Sequence, residues 1–421
     1  ILTPSGTGNK YFRFTSATSG WTEYGPTTGA DIAVTSGAAP LSTISGSSGA
    51  WYLNIANASS NVVFKTSNGA PATGKIWASE VQGTVRSLSG TVQAPTIANG
   101  VNPGQSVLVT STLSGTLSTG QNVYIRYTTN NFSTSTISAM SVTGTTATFT
   151  IPTATNTASA TVKYYVFTSG STTPTAGNED LMTINFDNNA GSNFSYTVGA
   201  TANTYPYVSA GTGTSGTPLV WATAASWLGN LAPGSASNVI ITTGDFVNVS
   251  GSSITRNAGT TTTVNGTLIS SNGITQSGTM TVSSTGTYQH AMNGNAIPTA
   301  TWSSGSTCNI TGIGGTAPGG LGQAFHHLIW NCSAQSSAVG LAGAITGPIN
   351  GDFSILSTNS QQLRLGSTQS ITLTVSGIFN LSGSSILVLN SGNGSNVLTI
   401  TGTSNISAGT ITNSSANNTG A

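Results

Sequence analysis

Apolar residues recur along this chain in short alternating runs separated by Gly, Ser, Thr and Asn. Val123, Ile125 and Tyr127 share one face of an extended segment, with Tyr124 and Arg126 on the other; Val162, Tyr164 and Val166 oppose Lys163, Tyr165 and Phe167 in the same way. A period of two is the pattern of a half-buried β-strand. Shorter runs precede them: Tyr11-Phe12-Arg13-Phe14, Trp51-Tyr52-Leu53-Asn54-Ile55 and Val62-Val63-Phe64-Lys65, parted by Gly, Ser and Pro as in a small β-sandwich. Turn-rich segments punctuate the strands between 89 and 200, the spacing of an immunoglobulin-like sandwich without its disulfide.

The texture changes beyond a Gly-, Ser- and Thr-rich stretch near 208–217. Strands of three to five residues follow, each trailed by a glycine turn. Gly244-Asp245-Phe246, Gly351-Asp352-Phe353 and Gly377-Ile378-Phe379 share one form, and Gly266-Thr267-Leu268, Gly278-Thr279-Met280 and Gly286-Thr287-Tyr288 share another. Strand plus turn recurring at about 20 residues is what a parallel β-helix requires, because each coil buries its inward side chains only against the coils above and below. The pattern therefore predicts an all-β protein: a small β-sandwich over 1–88, an Ig-like β-sandwich over 89–207, a linker at 208–217 and a right-handed parallel β-helix over 218–421. Trp221 and Trp227 are expected to cap the first coil, which has nothing beneath it.

Charge sharpens this reading. The 421 residues carry 9 Lys+Arg and 8 Asp+Glu, or 4% charged, and 53 glycines; an ordinary soluble domain has about 25% charged residues. So few cations exclude a phosphate-reading surface, and no nucleic-acid partner is expected. Of the 17 charges only Asp352 and Arg364 lie beyond Ala258. Like charges repeated on every coil would repel along the stack, whereas Ser, Thr and Asn hydrogen-bond to their copies. A near-neutral surface also favours self-association. No apolar run is long enough for a transmembrane helix, and the first residues lack a basic, apolar leader, which suggests a processed end.

Certain stretches are similar to known proteins. Asn9-Lys10-Tyr11-Phe12-Arg13-Phe14, Tyr24-Gly25-Pro26 with Ala30-Asp31, and Val63-Phe64-Lys65-Thr66 resemble a module near the mature N-terminus of proteins exported by the type IX secretion system. Gly120-Gln121-Asn122-Val123-Tyr124-Ile125-Arg126-Tyr127-Thr128, Val162 to Gly170 and Asp180-Leu181-Met182-Thr183-Ile184-Asn185 resemble the Ig-like module that follows it in that class. Trp221, Trp227, Pro233 and Asn238-Val239-Ile240-Ile241 resemble the opening strand of β-helical segments of the same class. The resemblance implies an exported, modular protein, extracellular or on the cell surface, and implies no reaction.

Candidate chemistry is sparse. With so few acids and bases in the third zone, and no two acids close in sequence, an enzyme is not expected. Trp21, Tyr24, Trp51, Tyr52 and Trp77 form the richest aromatic cluster and are the candidate carbohydrate platform; the competing reading makes them core. Glu179, Asp180 and Asp187, among Asn178, Asn188 and Asn189, offer hard oxygen ligands to a calcium ion, against the plainer reading of Asx-rich turns. No other cofactor is implied. Cys308 and Cys332 stand 24 positions apart, about one coil, which suggests a disulfide or a pair of stacked thiols. His326 and His327, as strand neighbours, should point to opposite faces and not share an ion. The expected function is a non-enzymatic adhesin or fibre subunit, with a β-helical stalk and β-sandwich contact modules that meet self copies or other surface proteins. The alternatives are a polysaccharide-binding surface protein and an accessory region of a secreted hydrolase.

Overall fold

The computed structural model describes residues 1, 3–12, 14–16, 22–27, 30–45, 49–67 and 74–413. It is all-β, and among the described residues the single α-helix is one turn, Glu179–Met182. The chain divides into two compact units, Ile1–Thr201 and Ala202–Ala421. No helix of the described residues is long and apolar enough to cross a membrane.

In the first unit an antiparallel five-stranded sheet (Phe14–Ser16, Thr22–Pro26, Leu41–Ser45, Lys75–Gln82, Ser60–Thr66) accompanies a three-stranded sheet (Gly8–Phe12, Trp51–Ile55, Ile32–Ala33). They share a core of Val34, Trp51, Leu53, Ile55, Val62, Ile76 and Ala78. Two further antiparallel sheets follow. One runs Ser141–Thr143, Thr146–Ile151, Val107–Leu113, Leu88–Ala94, and the other runs Thr136–Ala139, Asn122–Thr128, Thr161–Ser169, Thr183–Asp187, with Phe194–Thr197 paired beside Thr161–Ser169. The alternation read from the sequence is obeyed: Val123, Ile125, Val162, Tyr164 and Val166 turn inward and meet Val107, Val109, Ala147 and Ile151 of the opposing sheet. The two zones also meet each other. Val63, Trp77 and Val81 close against Leu181 and Met182, so residues 1–88 and the segment after them fold as one unit.

The second unit is a parallel β-solenoid. Among the described residues its longest ladder has nine strands in chain order: Leu219–Val220, Phe246–Val249, Thr267–Ser270, Thr287–His290, Thr307–Ile310, His327–Asn331, Phe353–Ser357, Phe379–Leu381 and Ser404–Ile406. The registers stack two inward columns. Val247, Leu268, Tyr288, Cys308, Leu328, Phe353 and Phe379 form one; Val249, Ser270, His290, Ile310, Trp330, Ile355 and Leu381 form the other. Every one of these residues is at most 1% exposed, so the bore is filled by side chains. Thr267, Thr287 and Thr307 succeed one another in register at outward positions, and Asn380 donates to Ser354 on the coil before it. Each coil takes 20 residues from Leu268 to Leu328 and 25 or 26 from there to Phe379.

The stretch 208–217, expected as a linker, belongs to the first coil. Tyr207–Val208 pairs in parallel with Val239–Ile241, and the Gly211 and Gly213 amides both donate to the Asp245 carboxylate at 2.8 Å. Asp245 is 2% exposed and also accepts from Thr242. Its Gly-rich composition therefore provides backbone N–H groups around a buried acid, not slack chain. Trp221 and Trp227 lie edge to face at 5.1 Å, both buried where the nine-stranded ladder begins. Arg256, 1% exposed, sits with its guanidinium 5.5 Å from the Trp221 ring and donates to Thr262 and to the carbonyls of Gly234 and Ser237. Burial lowers its pKa to about 10.

His290 is the one ionisable imidazole inside the described bore. Nε2–H donates to the Gly294 carbonyl at 2.8 Å, and Nδ1 accepts from the Tyr288 hydroxyl at 3.3 Å, so the neutral ring is fully bonded. Desolvation lowers its pKa, outweighing the Gly294 bond that raises it. A histidine whose folded pKa is depressed adds stability above the unfolded value, about 6.5, and that stability is lost as pH falls toward the folded value. The melting temperature of the solenoid is expected to fall between about pH 7 and pH 5. In His290→Asn the fall should be smaller; an identical pH profile for both proteins would show that His290 does not titrate on unfolding.

Candidate ligand-binding site

The aromatic cluster read from the sequence divides in three. Trp51 and Trp77 are 0% and 1% exposed and belong to the core and the seam of the first unit, so neither is a platform. The reason is the strand period: Trp51, Leu53 and Ile55 share the inward face, while Tyr52 and Asn54 face out. Trp21 lies outside the described residues, as does the side chain of Tyr24. Among the described side chains of the set, Tyr52 is the one that turns outward.

Tyr52 has partners that the sequence reading did not select. The antiparallel register sets Tyr11 opposite Tyr52 and Asn9 opposite Asn54. The two tyrosine rings lie 5.2 Å apart, with Tyr11 58% exposed. One step along the strands, Asn54 Nδ2 donates to Asn9 Oδ1 at 2.9 Å. This outward face combines adjoining aromatic surface with exposed amide donors and acceptors. Such a pairing suits a ligand with apolar C–H faces and a rim of hydroxyls, because the rings take up the former and the amides the latter. The signal was present as alternation in Asn9-Lys10-Tyr11-Phe12, but only the strand pairing brings it beside Tyr52.

The acidic set does not converge. Glu179 is ion-paired to Arg126, Asp180 accepts from Lys65 through its backbone carbonyl at 3.3 Å, and Asp187 Oδ2 accepts from the Thr91 amide at 3.1 Å. Among the described residues no group of three or more His, Cys, Asp or Glu is placed to hold a metal ion. The local turns are Asx-shaped instead: Gly191 N–H donates to Asn188 Oδ1 at 3.0 Å.

Cys308 and Cys332 are free and buried. They occupy successive coils, yet Cys308 pairs with Leu328, so the coil period here is 20 and Cys332 falls four positions further along. Neither a disulfide nor a stacked thiol pair forms. Cys332 donates instead to the Ile310 carbonyl at 3.4 Å, and burial raises both thiol pKa values, that of Cys332 to about 11. The histidines also depart from expectation. The strand begins at His327, so alternation does not govern His326, and the two rings meet edge to face at 4.4 Å. His327 Nδ1 is 3.4 Å from the Asp352 carboxylate, while Asp352 accepts from the Ile378 amide at 2.7 Å.

No known protein family, curated protein or solved structure matches this chain.

Proposed function

We propose that this is a non-catalytic extracellular or cell-surface protein, in which the solenoid serves as a stiff shaft and the first unit contacts polysaccharide. The observation that carries the reading is the outward-facing Tyr11–Tyr52 ring pair with the Asn9–Asn54 amide pair beside it. Supporting it, the aspartates of the solenoid, Asp245 and Asp352, are both occupied in binding backbone amides, and the resemblance to exported modular proteins agrees with a neutral, hydroxyl-rich surface. Residues 89–201 are inferred to be an Ig-like module, on the strength of two antiparallel sheets enclosing one core, and the solenoid to be right-handed.

The test is retention on insoluble polysaccharides. Tyr11→Ala and Tyr52→Ala are each expected to weaken retention about tenfold, the loss of roughly 1.4 kcal/mol of contact. Tyr11 is exposed, so its truncation leaves the core intact. Unchanged retention in both variants would remove the tyrosine face as the contact. Trp51→Ala is not informative here, since it opens the core.

A further inference from the structure

A second face of the first unit carries different chemistry. A cleft of about 520 Å³ is lined by Lys65, Arg126, Phe132, Tyr165, Asp180 and Phe186, among others. A neighbouring cleft shares Lys65 and Asp180 and adds Lys75. Lys163 donates to Asn131, beside Phe132, at 2.8 Å. Four of the chain's nine cations, Lys65, Lys75, Arg126 and Lys163, thus gather here, against Glu179 and Asp180, in a protein whose net charge is +1.

The cations are not fully spent on the protein. Arg126 donates through Nε to Ser135 and through Nη1 to Tyr165 and Glu179; among the described residues Nη2 has no partner. Its guanidinium is 5.1 Å from the Phe132 ring centre and 6.0 Å from that of Tyr165, within cation–π reach of both rings. Lys65 has a backbone carbonyl as its hydrogen-bond partner, and burial lowers its pKa despite the neighbouring Asp180 charge. An arriving anion would supply the counter-charge that burial denies. Phe132 holds its position at φ 64°, a conformation bulky residues rarely adopt. Phe186, 57% exposed, gives a further apolar surface with no core role.

We propose that this cleft binds the uronate units of an acidic polysaccharide, with the carboxylate received by Arg126 Nη2 and Lys65 and the sugar ring laid against Phe132 and Phe186. A guanidinium favours a planar carboxylate, and aromatic walls favour a ring with an apolar face over an isolated anion. The cleft shares no residue with the Tyr11–Tyr52 face, so the proposal stands apart from that reading.

Titration calorimetry of the full chain with an oligogalacturonate, an uncharged malto-oligosaccharide and a sulfated oligosaccharide tests it. The oligogalacturonate is expected to bind at least about tenfold more tightly than the uncharged sugar, and to weaken several-fold between about 50 and about 300 mM NaCl as screening grows. Lys65→Gln and Phe186→Ala, checked for an unchanged melting temperature, should each lower that affinity about tenfold, while Gln289→Ala, on the outward face of a solenoid strand, leaves it unchanged. Absence of oligogalacturonate binding, affinity equal to that of the uncharged sugar, or indifference to both cleft substitutions overturns the proposal. Tighter binding of the sulfated oligomer overturns the carboxylate assignment.

Discussion

Trp330→Ala is expected to destabilise the solenoid by about 3–5 kcal/mol, the usual cost of emptying a large buried aromatic site. Trp330 stands in the inward column between Ile310 and Ile355 and is 1% exposed, and its indole N–H donates to Gln335 Oε1 at 3.2 Å. Gln335 is itself fully buried and spans to the carbonyls of Ser337 and Gln362, so truncation also leaves its oxygen without a donor. A solenoid coil is held only by its two neighbours. The damage should therefore centre on the strands Thr307–Ile310 and Phe353–Ser357, where amide exchange is expected to accelerate by about a hundredfold or more, at roughly 1.4 kcal/mol per factor of ten. Gln289→Ala, an outward position on the same ladder, should change stability by no more than about 0.5 kcal/mol. Equal exchange rates in the two variants would contradict a stability carried by the inward columns.

Glu179→Ala should cost the first unit about 3 kcal/mol, because it leaves a charged guanidinium with little access to water. The side chains of Arg126 and Glu179 are 14% and 5% exposed, and the remaining partners of Arg126 are hydroxyl groups that carry no charge. Arg126→Met combined with Glu179→Leu is expected to recover most of the loss, since removing both charges also removes the cost of desolvating them. Urea unfolding of the two single variants and the double variant gives the coupling directly. A loss below about 0.5 kcal/mol in Glu179→Ala would place the pair in the class of solvated surface bridges.

Much of the fold was readable because burial imposes a period. Val123 to Tyr127 and Val162 to Phe167 alternate as half-buried strands must, and the Gly-Thr-Leu and Gly-Asp-Phe fragments mark coils because a glycine turn follows each short strand. The functional side was less legible. The outward pairing of Tyr11 with Tyr52 is a register, and register is a property of two strands about 40 residues apart. Trp51, equally aromatic in the sequence, is turned inward by the period of its strand, and Trp77 is covered from the other side by Leu181 and Met182. The cysteines were misplaced by a coil period that is 20 residues there, although 25 or 26 later, and His326 by one residue in the start of a strand.

The sequence by itself determined that this chain is built of strands, that its C-terminal half repeats, and that charge is confined almost wholly to the part before Ala258. Those are consequences of composition and period, which act locally. Only the tertiary structure decided which side chains share a surface. It gathered Lys65, Arg126 and Phe186 from three separated segments into one cleft, set Tyr11 against Tyr52, and drew the Gly-rich stretch 208–217 around Asp245. Each of these depends on which strand pairs with which, and residues distant in sequence reveal that only once the chain is folded.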